Sequence, residues 1–185
     1  MRPARLVVLI SGNGSNLQAI LDAIAAGELY AEIVAVISNT KDAFGLHRAR
    51  AAGVPTVVKA NRKGQQPNAY DEELADIALA YQPDWVVLAG WMRILTMPFL
   101  SRFPQQVINL HPALPGMFAG VGAIERAFQA YQRGEISHSG VMLHFVPDEG
   151  VDNGPLLNQV IVPILPDDTL ETFQNKIHAC EHVVL

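Results

Sequence analysis

The sequence predicts an α/β fold: an open, mostly parallel twisted sheet with helices on both faces and an antiparallel C-terminal hairpin. Two observations predict it. Short, continuously apolar runs alternate with helix-like segments up to about residue 110, and such runs are typical of parallel strands that are buried on both faces. Beyond residue 134, two strand-like runs follow each other with a short loop between them, which favours a hairpin.

The parallel part contains five predicted strands, at 5–11, 32–38, 56–60, 84–90 and 106–110. The helix after the first strand is predicted because its apolar residues recur at helical spacing; they are Leu17, Ile20, Leu21 and Ile24. Further helices are predicted over 43–53, 68–82 and, briefly, 98–102.

The later part begins with a predicted helix, 123–134, that ends in a glycine as many helices do. The hairpin strands are predicted at 138–146 and 155–164, joined by the acidic loop "PDEGVDNG". A last helix over 167–184 starts with acidic residues and a Thr suited to an N-cap. It reaches the end of the chain without a stop signal, so we expect a single domain over 1–185 that is shortened at its C-terminus.

Composition narrows the function classes. The chain has 185 residues, of which 50% are hydrophobic, and a net charge of −5 without a cluster of Lys or Arg. This disfavours a nucleic-acid partner, which usually needs a concentrated basic surface. A phosphorylated small molecule remains compatible, because backbone amides can bind one phosphate without net positive charge.

A single cysteine, Cys180, fits a reducing cytosol, and the first apolar run is too short to cross a membrane, so we expect a cytoplasmic protein.

Three polar segments follow predicted strand ends, at 11–16, 90–95 and 109–116. Ligands bind at the carboxyl ends of strands in open α/β sheets. The first segment, "SGNGSN", is not a dinucleotide fingerprint, because Leu17 stands at the third glycine position and no acid ends the second strand. A tight turn with an N-cap and a monophosphate cradle both remain open.

Asn109 and His111 occupy alternate positions of a predicted strand, so their side chains point to the same side. An amide and an imidazolium can both donate to one oxygen, as an oxyanion hole requires; the alternative is that they brace the turn before Pro112. In the acidic loop, Asp152 is the best candidate to pair with His111, against the alternative of a solvated turn. His144, in the strand before that loop, either faces the site or packs under it.

The segment "HACEH" carries His178, Glu181 and His182 in a spacing known from zinc proteases. We reject a metal site here, because a third ligand further along is needed and the chain ends three residues later. No other spacing of His, Cys and carboxylates suggests a structural zinc site. We therefore expect no metal.

Four segments together resemble, in order and spacing, the glycinamide ribonucleotide formyltransferases: "LVVLISGNGSNLQAIL", "VLAGWMRIL", "VINLHPALPG" and "HFVPDEGVDNGP". The resemblance covers essentially the whole chain. It implies a Rossmann-like fold with a phosphate-binding half, 1–105, and a catalytic and folate-binding half, 106–185. It also implies transfer of a formyl group from the co-substrate 10-formyltetrahydrofolate to the amine of glycinamide ribonucleotide in purine biosynthesis, by a monomer or homodimer.

The resemblance implies roles residue by residue. The catalytic residues would be Asn109, His111 and Asp152. The substrate's phosphate would lie on Gly14, Ser15 and Asn16 and its ribose on Glu181. The folate side would be formed by Met92, Arg93, Ile94, Leu95, Val146 and Asp148.

The sequence departs from this family in several places, one of which is that relatives continue well past Leu185. Pro67 and Asn68 stand where the family often has an Arg that helps to bind the folate tail. In the loop after His111, where relatives commonly have a proline and a histidine, this chain has Ala119 and Gly122.

Formyltetrahydrofolate hydrolases and methionyl-tRNA formyltransferases share the Asn–His–Asp arrangement, and a non-catalytic nucleotide-binding domain is a further alternative. The glycine-rich loop favours a phosphorylated acceptor over water, and the acidic charge disfavours tRNA.

Overall fold

The computed structural model describes residues 2–185 and contains a seven-stranded sheet flanked by helices. The strands are β1 (Ala4–Ile10), β2 (Ala31–Ser38), β3 (Thr56–Val58), β4 (Trp85–Leu88), β5 (Val107–His111), β6 (His138–Phe145) and β7 (Leu156–Pro163). The helices are α1 (Ser15–Ala25), α2 (Gly45–Ala51), α3 (Pro67–Leu79), α4 (Met97–Leu100), α5 (Ala123–Gln132) and α6 (Leu170–Val184).

The strand order in the sheet is β3-β2-β1-β4-β5-β6-β7. β1 pairs in parallel with both β2 and β4, and β2 pairs in parallel with β3. β6 and β7 form an antiparallel pair. The predicted fold class, a mostly parallel sheet with an antiparallel C-terminal hairpin, is therefore confirmed.

The chain forms two compact units. The first comprises the residues up to Ile108 together with Pro147–Glu149, and the second comprises Asn109–Val146 and Gly150–Leu185. In the first unit, β1 is fully buried from Val7 to Ile10, and α1 buries Leu17 and Ile20. α3 starts with a proline in its first turn, where the missing N–H costs nothing.

The second unit packs α5 and α6 around the hairpin. Its core includes Phe128, Val141, Phe173 and Ile177. α6 begins after Thr169, whose hydroxyl accepts from the Thr172 amide while the Thr172 side chain accepts from the Thr169 amide. This reciprocal capping satisfies N–H groups that otherwise lack partners at a helix start.

Several boundaries differ from the predictions, each for a local reason. β4 ends at Leu88 instead of residue 90, because Gly90 adopts a left-handed conformation with φ 77°. The predicted Thr N-cap of the last helix is confirmed: Thr169 is extended and caps α6, which starts at Leu170. β5 extends to His111, so that both Asn109 and His111 lie within the strand. Within residues 2–185, no helix is long and apolar enough to cross a membrane.

Candidate active site

The second unit brings together the amide, imidazole and carboxylate that the sequence singled out. Asn109 and His111 lie on the same side of β5. The Nδ2 atom of Asn109 donates to Oδ1 of Asp152 at 3.0 Å. The other carboxylate oxygen, Oδ2, lies 3.2 Å from Nδ1 of His111. His111 is buried, and Asp152 is half-buried with a side chain that is 9% exposed, so their contact is only weakly screened by solvent.

Asp152 is held in place by the backbone as well as by these partners. It adopts a left-handed conformation, with φ 52°, in the loop between β6 and β7. Among non-glycine residues, Asp and Asn enter this region most readily. The Gly120 amide donates to Oδ2 at 2.8 Å, so one carboxylate joins β5 to the loop that precedes α5.

That loop also contacts His111 directly. Nε2 of His111 lies 3.2 Å from the carbonyl oxygen of Phe118. Arg126, in the first turns of α5, donates to the carbonyl oxygens of Phe118 and Ala119 at 2.6 and 2.7 Å. No sequence pattern singled out Arg126. Its contacts are with backbone carbonyls seven and eight residues earlier, which residue type and spacing do not indicate.

For both His111 and Asp152, burial and the charge of the other residue shift the pKa in opposite directions. Burial lowers the pKa of His111 below its ordinary value, and the charge of Asp152 and the Phe118 carbonyl act in the opposite direction. Burial alone would raise the pKa of Asp152, but the neighbouring His144 ring, the hydrogen bond from Gly120 and the charge of His111 together hold it below its ordinary value. Asp152 is therefore a carboxylate at neutral pH.

The sequence left open whether His144 faces the site or packs under it. In the structure it faces the site. It is 2% exposed. Its Nε2 atom lies 3.2 Å from Nδ2 of Asn109 and 3.6 Å from Oδ1 of Asp152.

The predicted phosphate loop lies in the first unit, between β1 and α1. Gly14 is left-handed with φ 75°, and α1 starts directly after it with Ser15 and Asn16. Asn16 is buried, and its Oδ1 atom has no hydrogen-bond partner among residues 2–185. The amides of a helix start, with the helix dipole behind them, can bind an anion.

α2 supports this loop through two residues that the sequence analysis did not single out. The Gly45 amide donates to the Gly12 carbonyl at 3.1 Å. Arg48 donates to the Asn13 carbonyl at 3.0 Å and to the Asn13 side chain at 2.9 Å. Contacts from two residues of α2 thus hold the loop in place.

The predicted folate segment also lies in the first unit. Met92 and Ile94 are exposed, at 68% and 58%, while Leu95 is buried. The Arg93 guanidinium lies over the Tyr70 ring, 4.1 Å from its centroid. Exposed apolar side chains beside a fixed cation suit a ligand with an aromatic ring and carboxylates. Elsewhere, Val146 is half-buried in the second unit and Asp148 is exposed in the first.

Glu181 is a buried carboxylate on α6. Its Oε2 atom lies 2.7 Å from Nδ1 of His178, one turn earlier, and this contact raises the pKa of His178. Across the described residues 2–185, no three His, Cys, Asp or Glu side chains are grouped so as to hold a metal ion.

Residues 4–185 match the family described as Formyl transferase. The chain belongs to the formyl transferase family.

The formyltransferase is similar to named enzymes over nearly its full length. It is 48% identical to the phosphoribosylglycinamide formyltransferase of Schizosaccharomyces pombe, with 98% of this chain and 93% of the relative covered. It is 41% identical to the Escherichia coli protein of the same name, with 97% and 82% covered.

Solved structures give the same result for the fold. Glycinamide ribonucleotide transformylase 1 from Symbiobacterium toebii matches with a TM-score of 0.90 at 41% identity, covering 98% of this chain and 84% of that one. The phosphoribosylglycinamide formyltransferase from Coxiella burnetii, in complex with CHES, matches with a TM-score of 0.90 at 42% identity, covering 99% and 83%. These similarities confirm the resemblance seen in the sequence and the assignment of the formyltransferase as a transferase enzyme.

Proposed function

We propose that this formyltransferase transfers the formyl group of 10-formyltetrahydrofolate to the amine of glycinamide ribonucleotide, a step of purine biosynthesis. The observation that carries the proposal is the contact of Asp152 with both Asn109 and His111. The names of the relatives, which are 41–48% identical, support the choice of substrates.

The reaction needs no nucleophile from the protein, because the substrate amine is itself the attacking group. The neutral amine forms a bond to the formyl carbon, and the formyl oxygen takes on negative charge. The bond from that carbon to N10 of the folate then breaks, and the proton released by the amine ends on N10. The protein's part is to position the substrates, to donate hydrogen bonds to the oxyanion and to provide a proton route.

His111 is suited to donate from its charged form. Both ring nitrogens face oxygen atoms that only accept, Oδ2 of Asp152 and the carbonyl of Phe118. Only an imidazolium can donate to both. Burial opposes this charge, so we infer that Asp152 favours the protonated ring and passes the amine proton towards N10 through water.

Asn109 would be the second donor. In the ligand-free protein its Nδ2 atom lies within hydrogen-bond distance of Asp152 and of His144. We infer that the hydrogen now directed at Asp152 turns to the oxyanion when negative charge appears there. The formyl oxygen would then be held between this amide and His111.

The remaining roles follow the family resemblance. The backbone amides at Gly14, Ser15 and Asn16 would bind the phosphate, and Glu181 would accept from a ribose hydroxyl. Met92 and Ile94 supply exposed apolar surface for the folate. We assign the folate to residues 92–95 with Val146 and Asp148.

A formyl-transfer assay tests this proposal. With 10-formyltetrahydrofolate present, tetrahydrofolate should form only when glycinamide ribonucleotide is added. Formation without it at the same rate would show a hydrolase instead, and no turnover under either condition would refute the proposal.

The Asn109→Ala variant tests the oxyanion role. Removing one oxyanion donor should lower kcat about 100- to 1,000-fold at saturating substrate. Asn158→Ala, at an exposed asparagine of β7, serves as the matched control and should keep wild-type turnover. Near-wild-type kcat in Asn109→Ala would exclude this role for the amide.

A further inference from the structure

His144 is a buried titratable side chain that the proposed chemistry does not use. It is 2% exposed and lies in β6 within the second unit. A buried imidazole needs hydrogen-bond partners for both nitrogens, because an unpaired polar atom away from water is costly. Both nitrogens of His144 have such a neighbour.

The hairpin carries an irregularity opposite His144. The register between β6 and β7 shifts between Leu143 and His144, where Leu143 pairs with Asn158 and His144 with Leu156. The extra residue therefore lies on β7, and β6 keeps its alternation, which places His144 on the same side as Met142.

The contacts fix which nitrogen of His144 carries the hydrogen. Nδ1 lies 2.8 Å from the carbonyl oxygen of Phe145. A carbonyl oxygen only accepts, so Nδ1 must be protonated. In a neutral ring Nε2, which lies 3.2 Å from Nδ2 of Asn109 and 3.6 Å from Oδ1 of Asp152, then accepts from the amide, because Nδ2 only donates.

This tautomer decides how the Asn109 amide is oriented. An asparagine amide can rotate by half a turn with little steric change, which exchanges its oxygen and nitrogen. Two acceptors face its nitrogen here, Nε2 of His144 and Oδ1 of Asp152. The reversed amide would place its own oxygen against both of them. His144 thus disfavours the orientation that could not donate to an oxyanion.

We propose that His144 is a positioning residue: as a neutral imidazole with its hydrogen on Nδ1, it holds the Asn109 amide with the N–H edge towards Asp152 and the reacting carbonyl. This inference rests on the proposed function, since it assumes that Asn109 is an oxyanion donor. It adds His144 as the residue that keeps the Asn109 amide in the orientation from which it can donate.

A kinetic comparison tests the proposal. His144→Phe keeps the ring but removes the acceptor, and should lower kcat about 10- to 100-fold while the KM values of both substrates change less than about 3-fold. His144→Gln retains an oxygen acceptor and should recover part of that loss. Wild-type kcat in a folded His144→Phe variant would overturn the proposal.

The double variant separates positioning of Asn109 from a general effect on folding. When Asn109→Ala has already removed the amide, His144→Phe should change kcat by less than about 2-fold. If His144→Phe costs the same factor in both backgrounds, His144 does not act through Asn109 and the proposal fails. Thermal unfolding of each variant identifies any that do not fold, and His144→Gln then carries the comparison.

Nitrogen NMR gives a reading that does not depend on turnover. At about pH 7.5, the His144 ring of the wild-type protein should show a protonated Nδ1 and an unprotonated Nε2, the opposite of the tautomer that predominates in free histidine. A hydrogen on Nε2 would overturn the proposal even if the enzyme is active. A wild-type protein with the Nδ1–H tautomer but no formyl transfer would refute the proposed function instead.

Discussion

Asp152 accepts hydrogen bonds from Asn109 and from the Gly120 amide, and its charge lies beside the ring of His111. The Gly120 hydrogen bond, the neighbouring His144 ring and the charge of His111 stabilise the ionised carboxylate, and together they outweigh the burial that opposes it. On the His111 ring, burial lowers the pKa and the charge of Asp152 acts against it, but burial has the larger effect.

The Asp152→Asn variant tests this electrostatic role. Losing the carboxylate charge removes the attraction that raises the pKa of His111, so the ring should give up its proton at a lower pH than in the wild-type protein, where burial already holds its pKa below its ordinary value. An NMR titration of the His111 ring measures this shift, and kcat should fall about 100-fold or more. Asp167→Asn, at an exposed position, is the control. An unchanged His111 titration in Asp152→Asn would contradict the role.

At the residue scale, local pattern predicted part of the site. Alternation within a strand was enough to place Asn109 and His111 on one side, and turn-forming neighbours pointed to Asp152. The partner of His144 could not be predicted, because the contact joins it to Asn109, 35 positions earlier in the chain. The roles given to these residues stay predictions until the variants are measured.

At the scale of elements, the turn between β1 and α1 depends on close backbone contact with α2. A Cβ atom added to Gly14 would lie 2.7 Å from the Cα atom of Gly45. That neighbour is backbone and cannot rotate away. The left-handed φ of 75° at Gly14 adds a second reason for glycine, since other residues are strained there.

The Gly14→Ala variant should therefore lose both stability and substrate affinity. We expect a loss of about 1–3 kcal/mol in the free energy of unfolding and weaker binding of glycinamide ribonucleotide. Denaturant titration and calorimetry measure the two effects. Gly53→Ala is the matched control, because Gly53 has φ 73° but open space around its Cα atom, so it carries only the strain. Equal losses in both variants would rule out the contact with Gly45.

Whether a segment forms a strand or a helix could be predicted, because the hydrophobic pattern that decides it lies within the segment itself. Apolar runs and helical periodicity identified each strand and helix, whereas several ends were wrong by up to three residues. Those ends depend on local backbone conformations that composition does not specify, such as the left-handed Gly90 after β4. The Thr169 cap of α6, by contrast, was predicted. The support of the phosphate loop by Arg48 was likewise invisible, because it joins residues 35 positions apart.

At the scale of the whole molecule, ligand binding should raise stability by mass action. Glycinamide ribonucleotide at about 100 times its Kd should add about 2.7 kcal/mol, which for a chain of this size corresponds to a Tm increase of roughly 5–11 °C. The same nucleoside without its phosphate, at equal concentration, should give a much smaller increase. Equal increases from both compounds, measured by thermal unfolding, would show that the phosphate is not bound.

The fold class of the whole chain followed from the alternation of strands and helices. The order of strands in the sheet did not, since β4 lies beside β1 and not beside β3, the strand before it in the sequence. That choice depends on how the apolar surfaces of all the elements are covered at once. No short segment contains that information.

The left-handed backbone at Asp152 limits which residues evolution or a laboratory library can place there. In a saturation library selected only for folding, Asn and Gly should be recovered most often, and β-branched residues least, because of the steric cost at this φ. A library selected for growth without external purines should instead return Asp alone. The two recovered sets would separate what the chain needs to fold from what it needs to react.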